Sequence, residues 1–276
     1  MTEYSQIDSL ASEYRQRTIL VIAHPGHELR VHGWLETMAP AVWILTDGSG
    51  HTGRSRIDST TRVLESTGAA PGPVYGSMSD ADLYNTVLGF NHRPFLDLVD
   101  KLAAAILHEQ VDCIAGDAEE GYNPGHDTCR LIINAAVKLA QHKSSKPIRN
   151  YDFTLVGPPD QCPEDQREYS LWLNLDDEAF ARKLSAARNY PELQTEVETA
   201  LNGAGRFRVE CLRPVNSHSL ANRSLEDPPY YEQYGEKQVK SGYYKQVLRY
   251  SEHMLPLARV LDSHVERNSQ WRASRS

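Results

Sequence analysis

Short apolar runs alternate with helical patterns over residues 18–160, and this alternation limits the fold more than any other feature of the chain. The runs at 18–23, 41–46, 73–76, 111–115 and 153–157 are rich in β-branched and aromatic residues, as buried strands are. Between them, 28–37, 56–67, 94–109 and 127–142 read as helices. In 94–109, for example, Leu96, Val99, Leu102, Ala103, Ile106 and Leu107 fall on one stripe. Strands separated by helices of this length form βαβ units, whose sheet is parallel and covered on both faces. The predicted fold is therefore α/β, a Rossmann-like three-layer sandwich with a mainly parallel sheet of about five strands.

Beyond residue 160 the texture changes. PPDQCPEDQRE reads as a loop, and 176–202 as one helix or two, capped by Asn174 or Asp176 and stopped at Gly203. Residues 206–213 suggest a further strand, and the Tyr-rich tail from 228 turns helical near 239. The organisation expected is a metal-binding catalytic core over 1–160, led by a polar segment at 1–16. A C-terminal helical and strand elaboration over 161–276 packs on that core as one continuous domain.

A net charge of −8 argues against nucleic acid as the main partner, and no apolar run is long enough to span a bilayer. The polar, acidic N-terminal segment resembles neither a signal nor a transit peptide, so a cytoplasmic protein is expected. Cys113, Cys129, Cys162 and Cys211 are far apart and form no CxxC pair, which reads as free thiols in a reducing compartment. In the Tyr-rich tail Lys and Arg are balanced by Glu, which suits a packing or sugar-stacking surface.

The first apolar run ends in His24-Pro25-Gly26-His27-Glu28. Ligands of open parallel sheets sit beyond the carboxyl ends of the strands. His24 follows the first strand, Asp47 the second, and the loop from Asp117 to His126 the fourth, so three polar clusters are expected on one rim. Two imidazoles three residues apart in a turn can reach one ion, and His126 would complete a three-imidazole set that leaves a position for water. The alternative is a loop in which the histidines only satisfy backbone groups.

In this region the chain resembles the PIG-L/LmbE-like metal-dependent N-deacetylases. Their first motif, A-H-P-D-D-E, stands here as Ala23 to Glu28. ILTDGSG at 44–50, RIDSTTRVLESTGA at 56–69, YGSMSDADLY at 75–84 and EEGYNPGHD at 119–127 resemble further motifs in the same order. The resemblance implies an LmbE-like fold and a zinc or other divalent ion on His24, His27 and His126. At position 27, His stands where the family has Asp. The family's base aspartate is replaced by Gly26, and the His and Asp of its second metal motif by Asn123 and Gly125.

Proton transfer must then come from elsewhere, with Glu120 preferred to Glu28 because it lies on a loop that can reach inward. Tyr122 resembles a family tyrosine that closes over substrate and polarises its carbonyl, and Asn123 can donate to an oxyanion. Asp47, Arg56 and Asp80 are read as substrate contacts. An aspartate restored at position 26 is expected to raise hydrolysis by putting a base beside the metal water. The function expected is removal of an acyl group from an N-acylated amino sugar, glycoconjugate precursor or related small amide, with room for a homo-oligomer. Two alternatives stay open. One is a non-catalytic or repurposed LmbE-like protein that binds a glycan precursor or biosynthetic partner. The other is a metal-dependent reaction on a non-sugar metabolite.

Overall fold

A computed structural model describes residues 17–50, 52–144, 146–201, 204–215 and 228–273, so the lead-in expected at 1–16 and the stop at Gly203 lie outside them. The chain divides into two units. The first holds residues 1–80, 112–118 and 149–215, and the second holds 81–111, 119–148 and 216–276.

The first unit contains a seven-stranded sheet in the order β3-β2-β1-β4-β5-β7-β6. Its strands are β1 (Thr18–Ile22), β2 (Ala41–Thr46), β3 (Ala70–Met78), β4 (Cys113–Asp117), β5 (Arg149–Phe153), β6 (Leu171–Asn174) and β7 (Val209–Pro214). The run from β3 to β5 is parallel, with Ile19 opposite Ala41 and Thr18 opposite Cys113; β7 pairs antiparallel with both β5 and β6. This is the α/β class and mainly parallel sheet expected from the alternation. β1 and β4 are neighbours, and every residue of both is buried. Such strands read as unbroken apolar runs because no face is left for polar residues.

Strand order reverses between β1 and β4, and the crevice at their carboxyl ends is the switch point where open sheets take ligands. Helices α1 (His32–Met38) and α2 (Ile57–Thr67) link the first three strands. Trp34, Leu35 and Met38 of α1 and Val63 and Leu64 of α2 join Leu20, Ile22, Val42 and Ile44 in one core. The helix expected at 28–37 begins instead as a 3-10 turn over His27–Val31.

The strand expected at 153–157 lies at 149–153. Its parallel register against β4 runs from Cys113↔Arg149 to Asp117↔Phe153. The following carbonyls turn to a side chain: Arg30 Nε donates to Thr154 O at 2.9 Å and Nη2 to Gly157 O at 2.8 Å. Sequence reading missed the short strand β6, and the strand expected at 206–213 begins only at Val209.

The second unit is helical: α3 (Asp80–Leu88, joined from residue 81), α4 (Arg93–His108), α5 (Pro124–Lys143), α8 (Tyr230–Lys240) and α9 (Leu255–Ala273). Helices α6 (Asp177–Arg188) and α7 (Gln194–Leu201) belong to the first unit. The stripe predicted on α4 is buried at Val99, Leu102, Ala103 and Ile106. The Tyr-rich tail is helical from Tyr230 rather than 239, and its first helix ends at Ser241-Gly242, where Gly242 takes φ +77°.

Candidate functional site

The β1–β2 ladder continues past β1, with Thr46 N–H donating to Ala23 O at 2.9 Å, and this delivers His24 to the sheet's carboxyl edge. The chain then turns through Gly26, at φ +108° and ψ −22°, a conformation that a side chain disfavours. The turn brings the His24 and His27 rings edge to face, with centroids 5.3 Å apart and planes at 88°.

A carboxylate holds each ring. His24 Nδ1 lies 2.7 Å from Asp80 Oδ1 and 2.7 Å from Thr46 Oγ1. His27 Nδ1 lies 2.9 Å from Asp117 Oδ2, which also accepts from Ala23 N–H at 2.7 Å. A carboxylate facing Nδ1 favours hydrogen on that nitrogen, and an imidazole held this way in its neutral form would turn its Nε2 lone pair to a metal. Carboxylate-held imidazoles are the usual ligands of protein-bound zinc, because the outer contact fixes orientation and raises basicity.

Asp117 is fully buried at the end of β4, beside β1. Burial works to raise the Asp80 carboxyl, but the bonds and charge of His24, with Thr46 and the Gly50 N–H at 2.6 Å, outweigh it. They hold Asp80 well below the usual carboxylate range. Among the described residues no three His, Cys, Asp or Glu side chains are gathered closely enough to hold an ion. The donor chemistry of the His24–His27 pair nonetheless fits two of a zinc ion's ligands.

Glu28 is fully buried and braces the turn. Its oxygens accept from Gly26 N–H at 2.6 Å and from the Thr60 hydroxyl at 2.7 Å. Thr60 in turn meets Tyr190 Oη at 2.8 Å. Burial pushes the Glu28 carboxyl up to about 7, against the pull of those donors.

Asp47 closes its own turn onto Ser49 N–H at 2.9 Å, and its backbone carbonyl accepts from Arg56 N–H at 2.8 Å. The Arg56 side chain lies along this loop, with Cδ 3.2 Å from the place a Cβ on Gly48 would take. Asp47, Arg56 and Asp80 thus gather around residues 46–50.

The other expected site residues, Glu120, Tyr122, Asn123 and His126, lie in the second unit. Asn123 caps α5, accepting from Gly125 N–H at 2.7 Å, and Pro124 opens the helix. Asp127 accepts from Glu120 N–H and Gly121 N–H at 3.1 and 3.2 Å, which ties the loop to the first turn of α5. Tyr122 is exposed and stacks on Tyr230, with centroids 4.9 Å apart and planes 3° from parallel. His126 is buried in the first turn of α5.

Sequence reading did not single out Thr46 or Asp117 as ring partners. Only their place at the carboxyl ends of the strands flanking β1 marked them.

The expected gain from an aspartate at position 26 is corrected by the geometry. A Cβ there would stand 2.5 Å from Leu193 Cδ1 in a backbone conformation that L side chains rarely adopt. Gly26→Asp is now expected to lower stability by about 1–3 kcal/mol through strain alone and to distort the His24–His27 turn. Urea denaturation of variant and wild type checks this, and an unchanged midpoint would refute the strain.

The sequence matches no protein-family model and matches no curated protein. Solved structures that the chain matches include the A40926 pseudoaglycone deacetylase Dbv21, at 18% identity and TM-score 0.48, over 74% of this chain and 98% of that one. A triple mutant of the deacetylase involved in the teicoplanin biosynthetic pathway, Orf2*T, is 16% identical with TM-score 0.46, over 76% of this chain and 100% of that one. The zinc-inhibited form of teicoplanin deacetylase Orf2 is 14% identical with TM-score 0.45, over 76% and 100%.

Proposed function

We propose that the protein is a divalent-metal-dependent hydrolase that removes the acyl group from an N-acylated amino sugar or related small amide. The observation that supports this most is the pair of imidazoles at the strand switch point, each with Nδ1 held by a carboxylate. In this reading His24 and His27 hold the ion, with His126 as the third ligand that the motif resemblance implies. The bound ion would supply a Lewis acid and a more acidic water.

The chain's own residues divide the rest of the work. Asp80 and Asp117 orient the rings. Asp47 and Arg56 contact substrate hydroxyls. Tyr122 and the amide of Asn123 donate to the carbonyl oxygen. Glu120 takes and returns the proton. Glu28 is poorly placed for that role, because the turn it braces occupies both its oxygens.

Amine release from N-acetylglucosamine by purified protein tests the proposal. Release is expected to stop on chelation and return with zinc. Glu120→Gln should slow it by about 10²–10⁴-fold, the usual worth of general acid–base help.

A second reading is favoured by Gly26, whose missing carboxylate site is filled by Leu193. A protein that binds a glycan precursor or partner without hydrolysing it would keep the rings and lose the base. Zinc binding without amine release from any N-acyl substrate would decide for that reading, or for a reaction on a non-sugar metabolite. Among the described residues no helix is long and apolar enough to cross a membrane.

A further inference from the structure

Two thiols stand together beside the β6–β7 pair. Cys211 lies opposite Trp172 in the antiparallel register, and Ser170, extended just before β6, projects to the same face by strand alternation. The Ser170 hydroxyl is 3.3 Å from Cys162 Sγ, and Cys162 and Ser170 both lie near enough to the Cys211 thiol to act on its ionisation. Cys162 is half-buried in a loop whose neighbours at 161 and 163–165 are exposed, whereas Cys211 is buried.

We propose that Cys162 and Cys211 form an oxidative modification site in which a hydroperoxide converts the two thiols into a disulfide. The Cys162 thiolate attacks the outer peroxide oxygen. The O–O bond breaks, the outer oxygen stays on Cys162 as a sulfenic acid, and the inner oxygen leaves and takes a proton to give water or an alcohol. The Cys211 sulfur then attacks Cys162 sulfur, the S–O bond breaks, and hydroxide leaves as water with the Cys211 proton. Two electrons pass from the two thiols to the peroxide. Burial pushes the Cys211 thiol up to about 12, which leaves the attack on peroxide to the less buried Cys162.

The link fastens the loop from Gly157 to Pro163 onto β7. Arg30 holds Thr154 O and Gly157 O at the start of that loop. Glu210, the residue before Cys211, holds Gly33 and Trp34 N–H at the start of α1. Both ends of the disulfide therefore adjoin braces on the segment that follows His27.

The test treats reduced full-length protein with a small molar excess of hydrogen peroxide, then blocks remaining thiols with N-ethylmaleimide. Peptides are digested without reductant and read by mass spectrometry. A linked Cys162–Cys211 peptide pair is expected. Cys162→Ser should abolish it and leave Cys211 as a thiol that is alkylated only after unfolding. Cys211→Ser should stop Cys162 at a sulfenic acid that dimedone traps, and matching circular dichroism spectra establish that both variants fold. Recovery of wild-type Cys162 as free thiol, or as sulfinic acid without the linked pair, overturns the proposal, as does a Cys211 disulfide formed in Cys162→Ser.

Discussion

Asp117→Ala is expected to weaken zinc binding by about 10–100-fold, the usual cost of removing the outer partner of a ligating imidazole. The fold should also lose about 1–3 kcal/mol, because Ala23 N–H, buried at the end of β1, is left without its acceptor. Asp117→Asn separates the two effects. Its amide oxygen can still accept from Ala23 N–H, while the charge that favours an ion beside His27 is gone. The asparagine variant is therefore expected to regain most of the stability and only part of the affinity. Competition against a zinc chelator and urea denaturation measure the two quantities. Wild-type affinity in Asp117→Ala would mean that His27 is not a ligand, whatever its geometry.

Lys183→Ala is expected to be among the most destabilising single changes in the first unit, at about 3–5 kcal/mol, because it leaves a buried carboxylate without its counter-ion. Lys183 Nζ lies 2.8 Å from Glu210 Oε1 and 3.0 Å from Arg30 O, and both side chains of the ion pair are buried. Burial lowers the lysine's pKa, partly against the attraction of Glu210. The two Glu210 oxygens also accept from Gly33 and Trp34 N–H, so the loss reaches the start of α1. Arg182→Ala serves as the control. Its pair with Glu36, at 2.7 Å, involves a largely exposed guanidinium and should be worth about 0–1 kcal/mol. Equal unfolding midpoints for the two variants would show that the buried pair does not brace the helix.

The parallel half of the sheet was legible because central strands buried on both faces must be apolar runs, and β1, β2 and β4 are such runs. The His24–His27 turn was legible because it ends one of them. The ring partners were hidden for a topological reason. A polar residue after a strand shows which ring it faces only once strand order is known. Thr46 ends β2 and Asp117 ends β4, the two strands that flank β1, while Asp80 follows β3 one strand further out. Leu193 beside Gly26 was hidden more deeply, since an ordinary leucine in a short 3-10 turn has no mark of its partner. Periodicity misplaced β5 because the apolar stretch after Phe153 is held by Arg30 rather than by a neighbouring strand. It missed β6 because a four-residue edge strand is too short to show a period.

The central claim, that His24 and His27 form a carboxylate-oriented metal pair, is tested most directly by calorimetric titration of metal-free protein with zinc. Wild type should bind about one ion per chain, as a single structural or catalytic site does. His24→Ala and His27→Ala should each abolish that binding while keeping the wild-type circular dichroism spectrum. Equal zinc binding by wild type and both variants, or none by folded wild type, would contradict the account.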